Sequence, residues 1–269
     1  MRPLILLTND DGIHSPGLHA AAESVAHLGD LLIVAPRHQQ TAMSRSMPSE
    51  ADTGVIEMLT LELNGAPHPV YAVHGSPAQA VLHAVLELAP RTPTLCISGI
   101  NYGENLGTGV TMSGTVGAAI QATIHGIPAL AVSTEADVSI HHMEPYVHIA
   151  WDAARYFTAH LAEIILSRGL PPQTAFLNVN VPASATAETP MRITTQSLQR
   201  YFVTFKAQSA EPRDFSERFR FPYGIQIEKD ALEPTSDIYA FAIDRVVSVT
   251  PMNVDLTAKA SVNGWLSGE

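Results

Sequence analysis

Two adjacent carboxylates, Asp10 and Asp11, stand in Thr8-Asn9-Asp10-Asp11-Gly12, directly after the apolar run 4–7. Side by side they repel, and a hard divalent cation such as Mg²⁺ or Mn²⁺ is the usual cure. The competing reading is an Asx-turn or helix cap that uses Asp-Gly for its turn chemistry alone. A second candidate runs from Ser98-Gly99-Ile100-Asn101 through Gly109 and ends in Ser113-Gly114-Thr115. Glycines let a backbone come close to an anion, and the free N–H groups of a following helix supply the positive end. Asn101, Gly103, Ser113, Gly114 and Thr115 are therefore candidate phosphate contacts. This cradle has no lysine and matches neither G-x-G-x-x-G nor G-x-x-x-x-G-K-[ST], so dinucleotide and Walker-type NTP binding lose support. As a plain turn-rich loop it would need no ligand. Asn101, with the hydroxyl of Thr41 or Ser44 in the polar loop 37–46, completes a donor set of two carboxylates, an amide oxygen and a hydroxyl.

These residues need a scaffold that brings distant loops together. Apolar runs of strand length alternate with stretches of helical period through the first half, the pattern of βα units on a mostly parallel sheet. Strands are expected at 3–7, 31–34, 94–98, 128–133 and 176–181. Helices are expected at 17–28, from Ser76-Pro77 with Gln79 closing a capping box, from Ser113-Gly114-Thr115 to about Gly126, and over 145–168. Residues 55–73 read as two strands split by the turn dipeptide Asn64-Gly65, an excursion beside the main sheet. In an open parallel sheet, ligands bind beyond the carboxyl ends of the strands. Asp10-Asp11, the loop after Val34 and Asn101 each follow a strand of one sheet and can converge there.

The fold class expected is α/β: a Rossmann-like, mostly parallel sheet flanked by helices, with a β-hairpin arm in the C-terminal part. We divide the chain into a core over 1–198, an arm over 199–229 and a C-terminal segment over 230–269 that returns to the core or swaps to a neighbouring subunit. The arm carries six of the fifteen basic residues among alternating aromatics. A single hairpin is marginal alone, so it is expected to pack on another subunit, the alternative being a flap on its own.

The 269 residues carry 46% hydrophobic and 15% charged side chains, a globular composition. A formal net charge of −11 provides no global field for duplex nucleic acid or an anionic membrane, so any phosphate must be gripped locally. One cysteine, Cys96, allows no intramolecular disulfide and suits a cytoplasmic location. The apolar run 4–7 is too short for a signal peptide or a membrane span. Of the twelve histidines, His14 and His38 lie beside the proposed site.

Leu6-Leu7-Thr8-Asn9-Asp10-Asp11-Gly12-Ile13-His14-Ser15-Pro16-Gly17, Val34-Ala35-Pro36 with its polar loop, and Ser98-Gly99-Ile100-Asn101 through Ser113-Gly114-Thr115 resemble the SurE (survival protein E) family of nucleotidases. Gly75-Ser76-Pro77-Ala78, Leu177-Asn178-Val179-Asn180-Val181-Pro182 and Val247-Ser248-Val249-Thr250-Pro251 look like its later landmarks, so the resemblance spans essentially the whole chain. It implies a metal-dependent phosphatase acting on nucleoside 5′-monophosphates, and on 3′-monophosphates as a broader specificity. It further implies one Mg²⁺ or Mn²⁺ per subunit, a Rossmann-like core, a swapped C-terminal arm, and a homodimer or homotetramer. Carried over by position, the metal ligands fall on Asp10, Asp11 and Asn101. Where the family pattern after Ala-Pro is Asp-Arg-Asn-Arg-Ser-Gly-Ala-Ser, this chain has Arg37-His38-Gln39-Gln40-Thr41-Ala42-Met43-Ser44. Thr41 thus stands at the ligand serine, with Ser44 as the fallback.

Hydrolysis of a phosphomonoester is the leading reading, by water activated on the metal or by direct attack of Asp10 or Asp11. A receiver-type signalling domain also places an acidic pair after its first strand, but needs a lysine that the first 200 residues do not contain. A non-catalytic phosphate- or nucleotide-binding module is the alternative that the altered metal loop favours. Tyr102, Tyr201 and Phe202 are candidates to stack a base, with packing as their other role. Arg200, Lys206, Arg213, Arg218 and Arg220 on the arm would suit longer phosphorylated substrates or salt bridges to a partner subunit.

Overall fold

The computed structural model describes residues 1–141, 145–206, 213–217 and 219–258. Its frame is a nine-stranded sheet built from β1 (Leu4–Thr8), β2 (Asp30–Pro36), β3 (Ile56–Leu63), β4 (Ala66–Val73), β5 (Leu95–Tyr102), β6 (Ala129–Thr134), β7 (Phe176–Val181), β8 (Met191–Ile193) and β11 (Val247–Met252). The spatial order is β3-β4-β2-β1-β5-β6-β7-β11-β8. The six strands from β4 to β7 run parallel. β3 is antiparallel to β4 and β11 antiparallel to β7, while β8 lies parallel to β11.

The central strands are apolar without alternation because both faces are covered. Leu4, Leu6, Leu32, Val34 and Cys96 face a core shared with α2 (Pro77–His83) and α3 (Gly114–Ile124). Ile5, Leu7, Ile33 and Ile97 face the opposite core, with α1 (Pro16–Val25) and α4 (Asp152–Arg168). The local start signals work as read: Ser76 and Gln79 form a capping box and Ser113 accepts from the N–H of Val116.

Four details differ from the sequence reading. The strand pair at 55–73 is not an excursion: β4 pairs in parallel with β2, Ile33 beside Val70, so the hairpin extends the main sheet. β5 runs through the glycines to Tyr102, with a register shift between Ser98 and Asn101 against β6. Gly99 makes this path feasible, since a Cβ there would lie 2.2 Å from the carbonyl oxygen of Val132, and the Gly99–Ile100 peptide is cis. Asn101 is therefore held in a strand and not in a loop. α1 ends at Val25, three residues short of the expected stop. α4 begins at Asp152 and not at Pro145, although Tyr146, Ile149 and Ala150 keep helical spacing. Tyr146 and Val147 are drawn instead into contacts with Asp11 and Tyr102.

The basic segment forms a small antiparallel hairpin, β9 (Phe202–Thr204) with β10 (Tyr223–Ile225). Its strands are shorter than the aromatic alternation suggested, and Arg218 lies outside the described residues. The hairpin's base packs on its own chain, through Phe202 and Tyr223 against His141. Among the described residues, no helix is long and apolar enough to cross a membrane.

Candidate active site

The order β4-β2-β1 on one side and β5-β6-β7 on the other reverses between β1 and β5, the switch point beyond whose carboxyl ends open α/β sheets bind ligands. Asp10 and Asp11 follow the end of β1 there. Immediately after β1, the Asn9 side chain accepts from the N–H of Gly12 at 3.1 Å and donates to the Gly12 carbonyl at 3.0 Å. The turn chemistry thus comes from the Asn9 side chain bridging to Gly12, which leaves both aspartate side chains to point elsewhere. Gly12 closes the turn at φ 103°, in the left-handed region.

Each carboxylate is held from a different element. Asp10 Oδ1 accepts from the Thr115 hydroxyl at 2.6 Å, at the start of α3. The contact is close enough that a Cβ on Gly114 would lie 2.7 Å from Asp10 Cβ. Asp11 Oδ2 accepts from the Tyr102 N–H at 3.1 Å and Oδ1 from Gln39 Nε2 at 3.3 Å. The Asp11 carbonyl accepts from the Tyr146 hydroxyl at 2.6 Å. With 4% and 2% of their surface exposed, both acids are desolvated. Burial pushes Asp10 up to about 6, against the Thr115 hydroxyl and the amides of Thr115 and Gly114, which favour its charged form. Burial, and then the negative charge of Asp10, push Asp11 up to about 8.

Asn101, 8% exposed, donates Nδ2 to the Gly103 carbonyl at 2.6 Å, which leaves Oδ1 to offer a ligand. Gly103 itself is not an anion donor in this arrangement, because its N–H is taken by the Thr134 carbonyl at 2.9 Å. Its bare Cα instead makes room for His141, whose ring nitrogen would meet a Cβ at 2.7 Å. Ser113 spends its hydroxyl as the cap of α3. That leaves the first amides of α3, at Gly114 and Thr115, as the positive end that faces the carboxylates.

The loop 37–46 closes over this edge, and the Gln40 N–H donates to the Asp10 carbonyl at 2.7 Å. Its two hydroxyls are not equivalent. Ser44 donates to the Thr111 carbonyl at 2.9 Å, whereas Thr41 Oγ1 is buried with no hydrogen-bond partner. Two carboxylates, an amide oxygen and an orphaned hydroxyl form an all-oxygen set that fits a hard divalent cation. Among the described residues no group of three or more His, Cys, Asp and Glu side chains could hold a metal ion. Two clefts flank the loop: one of about 180 Å³ bounded by Gln39, Gln40, Thr41, Met43 and Arg220, and one of about 240 Å³ whose walls include Arg37, His38, Asp52 and His74. Neither is lined by Asp10 or Asp11.

Several residues at this site carry no sequence signal. Gln39 bridges Asp11 to the His141 carbonyl, 2.8 Å from its Nε2. His141 is buried and its Nε2 donates to the Ala136 carbonyl at 3.0 Å. Burial holds its pKa below the usual histidine value. His14 and His38 are exposed. Tyr102 is packed between Tyr146 and Trp151, and Tyr201 is 2% exposed, so neither ring face is open to a base. Asn105 is fixed by Asn178 and Asn180, whose Nδ2 groups donate to its carbonyl at 2.8 and 3.1 Å. This explains the asparagine pair on β7.

The family model described as Survival protein SurE matches residues 5–203. A 5′-nucleotidase SurE of Thermococcus gammatolerans is 38% identical over 255 residues, covering 95% of this chain and 91% of that protein. A 5′-nucleotidase SurE of Methanocella arvoryzae is 40% identical over 266 residues, covering 94% and 93%. Among solved structures, the SurE protein from Aquifex aeolicus superposes with a TM-score of 0.71 at 26% identity, over 98% of this chain and all of that one (100%).

Proposed function

The chain belongs to the survival protein SurE family, and from that premise we infer that it is a 5′-nucleotidase, a hydrolase of nucleoside 5′-monophosphates. We further propose that the activity depends on a divalent metal ion held by Asp10, Asp11, Asn101 and Thr41. One observation carries the metal reading: two buried carboxylates that repel each other adjoin a loop whose buried Thr41 hydroxyl lacks a partner. A divalent cation supplies charge neutralisation, Lewis acidity toward a phosphoryl oxygen and a water of lowered pKa.

The chain's own residues supply the positioning. Thr115 holds Asp10, and the Tyr102 N–H with Gln39 holds Asp11, so neither carboxylate has rotamer freedom to lose when substrate arrives. The amides that open α3 lie beside them and provide the fixed dipole that a phosphoryl group needs as charge spreads over its equatorial oxygens. The loop 37–46 and Tyr146 cover the edge and keep bulk water from it.

The test is phosphate release from a panel of nucleoside monophosphates with Mn²⁺ or Mg²⁺, for wild type and Asp10→Asn. We expect metal-dependent turnover that falls by about 1,000-fold or more in the variant, the loss typical of removing a group that anchors the reacting centre. Turnover indifferent to a chelator, or equal in the two proteins, overturns the reading. The 3′-monophosphates in the same panel test the broader specificity.

A further inference from the structure

A phosphomonoester brings negative charge to a site that already contains two carboxylates, and neither arginine of the loop covering them lines the cleft that contains Thr41. Arg37 Nε donates to Glu57 at 3.1 Å, and Arg45 Nε donates to Gln121 at 2.7 Å. The cation that meets this face comes from far along the chain. Arg220 shares the cleft of about 180 Å³ with Gln39, Gln40 and Thr41.

The hairpin fixes that placement. Arg220 lies three residues before β10, whose first residue, Tyr223, has its hydroxyl 3.3 Å from His141 Nδ1. The Nε2 of the same histidine is engaged by the Ala136 carbonyl, so Nδ1 is the acceptor and the Tyr223 hydroxyl donates. Phe202 on β9 packs edge-on against the same imidazole, with ring centroids 5.6 Å apart. The His141 carbonyl in turn accepts from Gln39, the side chain that also touches Asp11. One buried residue thus ties the hairpin that carries Arg220 to the loop that carries Thr41. Arg220 is exposed, so its fork of donors is accessible to an anion arriving from solvent, and a guanidinium sheds its weak hydration more readily than an ammonium would.

We propose that Arg220 is a substrate-binding residue whose guanidinium holds the phosphate of a phosphomonoester at the mouth formed by Gln39, Gln40 and Thr41. The assignment rests on the reading of the site as a phosphomonoesterase. Its contact is to phosphate and not to the nucleoside, because a planar guanidinium matches two phosphate oxygens at once.

The experiment compares wild type, Arg220→Gln and Arg220→Lys in saturating Mn²⁺, with a nucleoside monophosphate and with p-nitrophenyl phosphate. For Arg220→Gln we expect KM to rise by about 10- to 100-fold for both substrates, the range that loss of a charge-assisted hydrogen bond supports. kcat should change less, and Arg220→Lys should fall between, since it keeps the charge and loses the fork. An unchanged KM overturns the proposal, as does an effect seen with nucleotides alone, which would put the contact on base or sugar. Should the wild type turn over no substrate, the phosphomonoesterase reading fails by itself. Calorimetric titration of inorganic phosphate into the Mn²⁺-loaded protein then decides Arg220 separately: equal affinity in wild type and Arg220→Gln overturns the assignment, and a tenfold loss sustains it.

Discussion

At the carboxyl edge of β1 and β5, Asp10 and Asp11 are gripped by Thr115 and the Tyr102 N–H, and glycines at 99, 103 and 114 leave no room for a single added carbon. Across from it, the loop 37–46 has no regular secondary structure beyond turns, holds Ala42 and Ser44 at φ 63° and 51°, and leaves the Thr41 hydroxyl unpaired. One wall is built to one shape and the other departs from the family pattern at nearly every position. Groups that position the reacting centre tolerate only errors well below an ångström, whereas a wall that admits substrate tolerates larger ones. The difference teaches that the two walls should answer the same kind of substitution in opposite ways.

The largest expected effect comes from adding a methyl to the rigid wall. Gly114→Ala puts a Cβ 2.7 Å from Asp10 Cβ and 2.8 Å from its Oδ2, so either the carboxylate or the start of α3 must move. Neither has slack, because Thr115 bonds Asp10 directly. We expect kcat/KM to fall by about 100-fold or more, with a loss of about 1–3 kcal/mol in stability from overpacking. Steady-state kinetics and urea unfolding read the two together. A Gly114→Ala enzyme of normal activity would break the contrast at its stronger end.

The hydroxyls of the loop sharpen it. Thr41→Ala removes the orphaned Oγ1 and should weaken Mn²⁺ binding by at least about tenfold, as loss of a metal-orienting group does. Thr41→Ser keeps the oxygen and should stay close to wild type. Ser44→Ala loses only the bond to the Thr111 carbonyl, worth about 1 kcal/mol or less at an exposed site, and should leave metal affinity alone. Calorimetric titration of Mn²⁺ separates the three. Equal losses in Thr41→Ala and Ser44→Ala would mean that the loop acts through its shape and not through a ligand.

What could be read from sequence divides along the same line. The strand ends, the Asp10-Asp11 pair, the capping box at Ser76 and the opening of α3 at Ser113 are local signals, each written within about four residues, and local signals survive folding. Gln39, Tyr146 and His141 were not legible as site residues because what makes them so is contact across 28, 135 and 102 positions of chain. The same long-range pull cost α4 its expected first turns: the spacing of Tyr146, Ile149 and Ala150 fits a helix, yet the Tyr146 hydroxyl is held on the Asp11 carbonyl. β5 was cut short for the converse reason. Glycine reads as loop, but Gly99 is there because a strand passes too close to Val132 for any other residue. Position in the resembled pattern puts Thr41 before Ser44, but residue type alone does not separate the two hydroxyls, of which Ser44 alone finds a backbone carbonyl.

The smallest effect runs the other way. Ala42 is exposed and sits at φ 63°, a left-handed conformation that costs an L-residue about 1–2 kcal/mol. Glycine, which the family pattern has at this position, removes that strain but gives the unfolded chain more freedom, a cost of about 0.4–1 kcal/mol. The balance favours Ala42→Gly by about 0.5 kcal/mol, a rise of about 1–2 °C in the midpoint of thermal unfolding for a chain of this size. A methyl removed from the loop should therefore stabilise the protein where a methyl added to the opposite wall cripples it. Scanning calorimetry of the two variants side by side checks the sign. If Ala42→Gly lowers the midpoint, the loop is held at that φ by contacts the alanine methyl makes, and it is as tightly determined as the sheet edge it faces.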